Sequence, residues 1–332
     1  MRAWRFAGGF GRDNLVLEPD ETPEPGPRDV LLEMRAAALN WRDLVVMRGE
    51  HRRSVRPPLI PLSDGVGIVI AKGEQVEGLG LGDRVCPAFY QHWQGGPPPP
   101  DLGRGRLGGP LDGVLATHRV FPADAVVRVP DHLSDPQAAT LPCAGITAWS
   151  ALSDPAPVRP GEIVLILGSG GVALFAVVLA RAAGARVIVT TSSSDRAARL
   201  REMGADHVID RRTVPDWAGA DRVLELGGAG TLNDSVRAVR TGGTIILVGN
   251  VTGNRADLFL PPVLTRRLTL HSVSCGPVSA LRALVRAIDR HRLDPVIGRV
   301  FPFRDAPAAF DALERGRIFG KVCVSCQTEG PT

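Results

Sequence analysis

The chain has 332 residues, of which 44% are hydrophobic and 22% charged, and five cysteines. That length suggests about two domains, and the composition excludes a disordered, fibrous or disulfide-dense protein. The formal charge of +4 does not argue for nucleic acid, because the arginines are scattered, Lys72 and Lys321 are the only lysines, and no RNA-binding aromatic motif accompanies them. The N-terminal segment has no apolar run of the signal-peptide kind. The apolar stretch from Val172 to Ala183 is too short to cross a bilayer and contains Arg181. The expectation is a cytoplasmic protein with neither a membrane nor a nucleic acid as partner. Cys86, Cys143, Cys275, Cys323 and Cys326 are odd in number and widely spaced, which argues for reduced thiols. Cys323 and Cys326 lie in a strand-like segment where they face opposite ways, and no second pair exists to complete a zinc site.

The first part reads as short β segments separated by turn signals: Asp29 to Leu39, Gly65 to Gly73, a third after the turn in Gly78 to Phe89, then "GVLATHRVFP" and "AVVRVP". Strands at that spacing predict an antiparallel, barrel-like domain. Gln91 to Pro110 is dominated by Pro and Gly and reads as a long surface loop of the kind that covers sites. From about Ala144 the rhythm changes. "EIVLILG" is a continuous apolar run, as a strand buried on both faces requires. A helix "GVALFAVVLARAAG", a strand "ARVIVTT" and a helix from Asp195 to Met203 follow. "DHVID", "DRVLELG", a helix "TLNDSVRAVRTGG", "TIILVGN" and "LTLHSVSCG" continue the alternation. Repeated βα units predict an α/β domain with a Rossmann-type, doubly wound parallel sheet. A helix "SALRALVRAIDRH" and the closing segment to Cys326 complete the chain.

"GSGGVA", Gly168 to Ala173, fits the glycine-rich dinucleotide turn, in the right context after a buried strand and before a helix. Gly168 allows the tight turn, Gly170 lets backbone approach a pyrophosphate, and Gly171 and Val172 open the helix whose N–H groups face the phosphates. An NAD-preferring site places Asp or Glu at the tip of the next strand. Here the tip is Thr191, Ser192 and Ser193. Asp195 lies further on and is expected to cap its helix. Hydroxyls can donate to a 2′-phosphate, and Arg196 and Arg211 can supply positive charge. The expected cofactor is NADP(H).

"AAALNWRDLVVMRG", "PLSDGVGIVIAKG", "GLGLGDRV", "LPCAGITAWSAL", the glycine turn and "FGKVCV" occur in this order. In these segments the chain resembles the medium-chain dehydrogenase/reductase superfamily over essentially its whole length, and within it the zinc-independent alcohol dehydrogenase-like and quinone oxidoreductase-like members. The resemblance implies a GroES-like β-barrel catalytic domain of residues 1–144 and 276–332, a Rossmann NADP(H)-binding domain of residues 145–275, and a nicotinamide in the interdomain cleft. It also implies a homodimer formed by the last strands of the cofactor sheets, around Leu268 to Cys275. Zinc-dependent members carry a cysteine where this chain has Asn40, and Gly-His-Glu where it has Leu62, Ser63 and Asp64. Only the second cysteine is retained, as Cys143, and the lobe that binds structural zinc is absent. No metal is expected.

Without a Lewis acid, alcohol oxidation is difficult, and hydride transfer to an electrophilic quinone or α,β-unsaturated carbonyl is the expected chemistry. A carbonyl reductase or alcohol dehydrogenase for a specialised biosynthetic substrate, and a non-catalytic NADPH-binding protein, are the alternatives. The resemblance implies that Thr147 lies against the nicotinamide, that Gly249, Asn250 and Val251 meet its ribose or carboxamide, and that Lys321 reaches toward the phosphates. Asn40 is the candidate donor to a substrate oxygen. Tyr90, the only tyrosine, and His92 are candidate proton donors, although a lone tyrosine is more often packed than catalytic. Trp41, Asp43, Asp64, Trp93 and Cys143 are candidate pocket residues, with Asp43 equally readable as a structural carboxylate.

Overall fold

The computed structural model describes residues 1–51, 54–213 and 219–327. The chain divides into two compact units, Met1–Ile146 with Gly276–Thr332, and Thr147–Cys275. In chain order the first unit contributes β1 (Arg2–Phe6), β2 (Leu15–Pro19), β3 (Asp29–Ala38), α1 (Trp41–Met47), β4 (Asp64–Lys72), β5 (Arg84–Pro87), β6 (His118–Pro122), β7 (Val126–Arg128) and α2 (Asp135–Ala138). α3 (Ile146–Ser153) opens the second unit, followed by β8 (Ile163–Leu167), α4 (Gly171–Ala182), β9 (Arg186–Thr191), α5 (Ser194–Glu202) and β10 (His207–Asp210). That unit continues with β11 (Ala220–Glu225), α6 (Leu232–Ala238), β12 (Val239–Leu247), α7 (Leu260–Thr265) and β13 (Thr269–Ser272). The chain then returns to the first unit with α8 (Val278–His291), β14 (Ile297–Phe301), α9 (Ala306–Arg315) and β15 (Lys321–Ser325).

In the first unit a seven-stranded sheet runs β14-β15-β3-β4-β5-β7, with β6 also on β3. The β14–β15 pair is parallel, while β3 meets β15, β4 and β6 antiparallel. Val30, Leu32 and Met34 of β3 are buried together with Leu44 and Val46 of α1 and Phe310 of α9. Each such side chain stabilises the fold by about 1.5–3 kcal/mol when withdrawn from water. α8 shows why a helix forms here: Val278, Leu281, Leu284 and Ile288 are its buried residues, and their spacing places them on one stripe.

In the second unit six strands lie in the order β10-β9-β8-β11-β12-β13, every pair parallel. Counted within the unit this is the 3-2-1-4-5-6 order of dinucleotide-binding sheets. Central β8 buries Val164, Leu165 and Ile166 to 1% exposure or less, as its unbroken apolar run predicted. One boundary is corrected. The helix expected over "TLNDSVRAVRTGG" ends at Ala238, and β12 begins at Val239. Arg266 explains the stop: its guanidinium donates to the carbonyls of Val236 and, at 2.8 Å, Val239, capping the helix end with charge of the favourable sign. Sequence reading also missed α7 and β14. Among the described residues no helix is long and apolar enough to cross a membrane, and none of the five cysteines forms a disulfide.

Candidate active site

The turn between β8 and α4 carries the glycine motif. Gly168 has φ of 110°, a left-handed region that favours glycine, and its N–H donates to Thr190 Oγ1 at 3.0 Å. Gly170 is different. Its φ of −87° and ψ of −175° suit any residue, and a Cβ built on it meets nothing within 4 Å. Nothing in the protein's own packing demands glycine there; a ligand brought against the backbone would. Gly171 and Val172 begin α4, whose first N–H groups point out of the helix, while Ala173 is fully buried behind them. This cradle fits a pyrophosphate.

At the tip of β9, Thr191 is buried and Ser192 exposed. Thr191 Oγ1 lies 3.4 Å from Ser169 Oγ and accepts the Ser193 N–H at 3.3 Å. Arg196 donates to Ser169 Oγ at 3.5 Å. The expected Asp195 cap is corrected: Ser193 is the N-cap of α5, its hydroxyl accepting from the Arg196 N–H. A serine one position outside the helix meets that amide directly, whereas Asp195 already lies in the first turn. Arg211 directly follows Asp210, the residue of β10 paired with Thr191. The tip of β9 itself, Thr191, Ser192 and Ser193, carries no Asp or Glu.

In the first unit three strand ends converge on Asn40. Asn40 follows β3 as N-cap of α1, Asp64 opens β4 opposite Ala38, and Lys321 opens β15, where Cys323 pairs with Ala38. Lys321 is 5% exposed, and its ammonium donates to Leu39 O at 2.6 Å and Asn40 Oδ1 at 2.5 Å. The sheet register delivers the Lys321 side chain to Asn40. Asp64 is fully buried, and Ser63 Oγ donates to its Oδ1 at 2.7 Å. Burial pushes the Asp64 carboxyl above its ordinary value, against the pull of the Lys321 ammonium. Asn40 Nδ2 and Asp64 Oδ2 are buried without a completed hydrogen bond. Leu62, just before them, takes φ of 69°, a strained conformation held by full burial and by the Val114 N–H on its carbonyl.

Asp43 accepts the Asn40 N–H at 2.7 Å, closing α1 as a capping carboxylate. Burial raises its pKa from 3.8 to about 7, opposed by Arg42. The folded chain therefore binds a proton that the unfolded chain has released between these values. The stability this group contributes is complete below the unfolded value and lost as pH rises through about 7. Asp43→Asn keeps an acceptor for the Asn40 N–H and removes the titration. It is expected to lose on the order of 1–2 kcal/mol less than wild type between pH 5 and pH 8, read from melting temperatures; Asp64 is common to both proteins. Parallel curves would refute this.

Of the remaining candidates, Cys143 adjoins this cluster, its backbone N–H bonding the Asp64 carboxyl. Tyr90 is 3% exposed, packed edge-on to Phe89 at 4.7 Å and Trp93 at 5.7 Å between centroids, the packing role that a lone tyrosine commonly fills. His92 is exposed. Trp93 Nε1 donates to Gly96 O at 3.0 Å, and its carbonyl accepts the Val278 N–H at 2.9 Å. Trp41, expected to wall a pocket, packs against the core and under Arg48 at 5.4 Å. Cys143 is half-buried in a π-helical turn, Leu141–Gly145. In the second unit Thr147 Oγ1 donates to Cys275 Sγ at 3.6 Å. Gly249 N–H donates to Glu225 O at 3.1 Å, Asn250 donates to Asn254, and Val251 is half-exposed. Sequence reading missed Glu225 and Arg42. Arg42 pins the Gly/Pro loop by donating to the carbonyls of Leu107 at 3.3 Å, Gly108 at 3.2 Å and Gly109.

Comparison with known proteins gives this geometry a context. Residues 26–131 match the family described as alcohol dehydrogenase GroES-like domain, and residues 171–290 the family described as zinc-binding dehydrogenase. A zinc-type alcohol dehydrogenase-like protein of Schizosaccharomyces pombe is 36% identical, across 94% of this chain and 95% of that protein. The chain belongs to the medium-chain dehydrogenase/reductase superfamily. A Sinorhizobium meliloti crystal structure described as an alcohol dehydrogenase superposes with TM-score 0.91 at 36% identity, covering 98% of both chains. A structure named NAD-dependent alcohol dehydrogenase superposes with TM-score 0.87 at 31% identity, covering 98% of this chain and 99% of that one. This member of the superfamily is thus an oxidoreductase of the alcohol dehydrogenase-like kind, with a GroES-like domain and a parallel α/β domain.

The zinc in the relatives' names does not fit the residues here. Among the described residues no group of three or more His, Cys, Asp and Glu could hold a metal ion. Asn40 Oδ1, the amide's ligating atom, is already taken by the Lys321 ammonium, and a buried cation repels a second one. Asn40, Asp64 and Cys143 are a poor substitute for His and Cys ligands.

Proposed function

We propose that this chain is a zinc-independent, NADPH-dependent reductase that delivers hydride to a quinone or an α,β-unsaturated carbonyl compound. The observation that carries the reading is Asn40 Nδ2, a buried donor without a completed hydrogen bond, set beside a buried ammonium where zinc-dependent members hold a metal. The reduced nicotinamide, when bound, supplies the hydride. Gly168, Gly170, Gly171 and Val172 hold the pyrophosphate, and Thr147, Gly249, Asn250 and Val251 serve the nicotinamide end. Asn40 donates to the acceptor's oxygen as negative charge develops on it, a role whose donors act most strongly where water is excluded.

The preference for NADPH rests on the β9 tip, where Ser192, Ser193, Arg196 and Arg211 replace a carboxylate. Calorimetry on metal-stripped protein should show NADPH binding more tightly than NADH. Arg196→Ala should weaken NADPH by about 10–100-fold, the worth of one charge-assisted hydrogen bond, and leave NADH nearly unchanged. Equal affinities in the wild type would sink the NADPH assignment. Loss of NADPH absorbance with a quinone or simple enone, without added metal, tests the reductase role.

A second reading, an NADP-dependent carbonyl reductase or alcohol dehydrogenase for a specialised substrate, is favoured by the alcohol dehydrogenase names of the relatives; metal-free alcohol oxidation would favour it. A homodimer is part of the proposal. β13 is an edge strand, a template for pairing, and Phe259, Leu260 and Leu264 nearby are 66%, 54% and 71% exposed.

A further inference from the structure

We propose that Lys321 is a positioning residue, which locks the Asn40 carboxamide in the one orientation that presents Nδ2 to a substrate oxygen. This rests on the reductase reading and adds to it the residue that makes Asn40 a donor. An ammonium donates and cannot accept, whereas a carboxamide can turn either its oxygen or its NH2 group toward a neighbour. With Asn40 Oδ1 at 2.5 Å from Lys321 Nζ, turning the amide over would set NH2 against NH3⁺ in a buried place. The lysine thus removes one of two otherwise similar rotamers.

Neither partner can drift to relieve the constraint. Lys321 Nζ also donates to Leu39 O at 2.6 Å. Its backbone is tied by Lys321 N to Val296 O and by Leu39 N to Val322 O, both at 2.9 Å. Asn40 is held through its own N–H by Asp43 at 2.7 Å. On the other side of the amide, Asp64 faces Nδ2 without a completed hydrogen bond. Nδ2 carries two N–H groups diverging from one nitrogen, so even a bond to Asp64 leaves one for an incoming oxygen. Lys321 fixes the acceptor end and thereby decides which end meets substrate.

The test is a double-substitution cycle on the full chain: Lys321→Met, Asn40→Ala and both together, with kcat and KM for a quinone and calorimetric Kd for NADPH. Lys321→Met should lower kcat by about 10–100-fold and Asn40→Ala by about 100-fold, the scale of a lost donor to a developing oxyanion. The double variant should be no slower than Asn40→Ala alone, since a residue acting through another has nothing further to lose. NADPH affinity should stay within about twofold of wild type. If Lys321→Met fails to fold by circular dichroism, Lys321→Gln, which keeps a donor on a shorter arm, is read in the same cycle and should retain more of kcat than Asn40→Ala does. Multiplying effects in the double variant, or weakened NADPH binding with kcat retained, would overturn the proposal, the latter by assigning Lys321 to the phosphates. A wild type that reduces neither quinone nor enone would instead overturn the reductase reading, and this role with it.

Discussion

Replacing Gly170 with valine is expected to abolish dinucleotide binding while leaving the chain folded. The backbone at Gly170 is extended, with φ of −87° and ψ of −175°, a conformation that a β-branched residue adopts readily. The added Cβ meets no atom of the protein within 4 Å. Loss of a glycine N-cap to an apolar residue costs up to about 1 kcal/mol. The melting temperature should therefore fall by no more than about 4 °C for a chain of this size. The isopropyl group would occupy the space in front of the first turn of α4, where a pyrophosphate must come against backbone N–H groups. Binding of NADPH and NADH alike should weaken by at least about 100-fold, or roughly 2.7 kcal/mol. Other glycines give no such clean result. Gly168 has φ of 110°, and a Cβ on Gly249 would lie 2.0 Å from Leu226 O, so substitution there disturbs the fold first. Undiminished affinity in Gly170→Val would mean that the dinucleotide binds elsewhere, and the cradle would lose its role.

The second unit was legible because its signals are local. A strand buried on both faces needs a continuous apolar run, and "IVLIL" supplies it within five residues. The glycine turn then follows immediately, so motif and context lie in one stretch. The cluster around Asn40 was legible only in part. Resemblance singled out Asn40, Asp64 and Cys143, but nothing local announces that Lys321 bonds Asn40 across 281 residues. That contact is made by strand register, β15 beside β3, which periodicity cannot supply. The surroundings of Trp41 were illegible for a related reason: an aromatic beside a candidate donor suggests a pocket wall, and only the fold shows that the helical turn also sets it against the core and beneath Arg48. Asp195 misled by two positions, since Ser193 already occupies the N-cap and accepts the Arg196 N–H.

Glu225 is expected to rank among the costliest side chains to replace, with stability falling in the order Glu, Gln and, far below, Leu. It is 1% exposed at the end of β11. Its Oε1 accepts the N–H groups of Gly227 and Gly228, both at 2.8 Å, and the Thr231 hydroxyl at 2.5 Å. Its Oε2 accepts the Ser235 hydroxyl at 2.5 Å. In Glu225→Leu the two hydroxyls can turn to other acceptors; Thr231 already lies 3.4 Å from Gly228 O. The two amides cannot turn, and each part-buried N–H left without its acceptor costs up to about 1–3 kcal/mol. The expected loss is about 3–5 kcal/mol, seen as a fall of roughly 6–20 °C in melting temperature. Glu225→Gln keeps Oε1 for both amides and lets Ser235 reverse from donor to acceptor, so only charge assistance is lost, about 1–2 kcal/mol. An unchanged melting temperature in Glu225→Leu would show that these bonds carry no net stability. The effect should also reach the cofactor. The loop that Glu225 fixes accepts the Thr252 N–H on Gly227 O and donates Gly230 N–H to Thr252 Oγ1, both at 2.8 Å. Thr252 directly follows Gly249, Asn250 and Val251, so Glu225→Gln should raise the Kd for NADPH several-fold in protein that remains folded. A carboxylate ending a strand reads in sequence as an ordinary solvated acid. Only the glycine loop folded over it, with four donors turned inward, makes it the anchor of that end of the sheet.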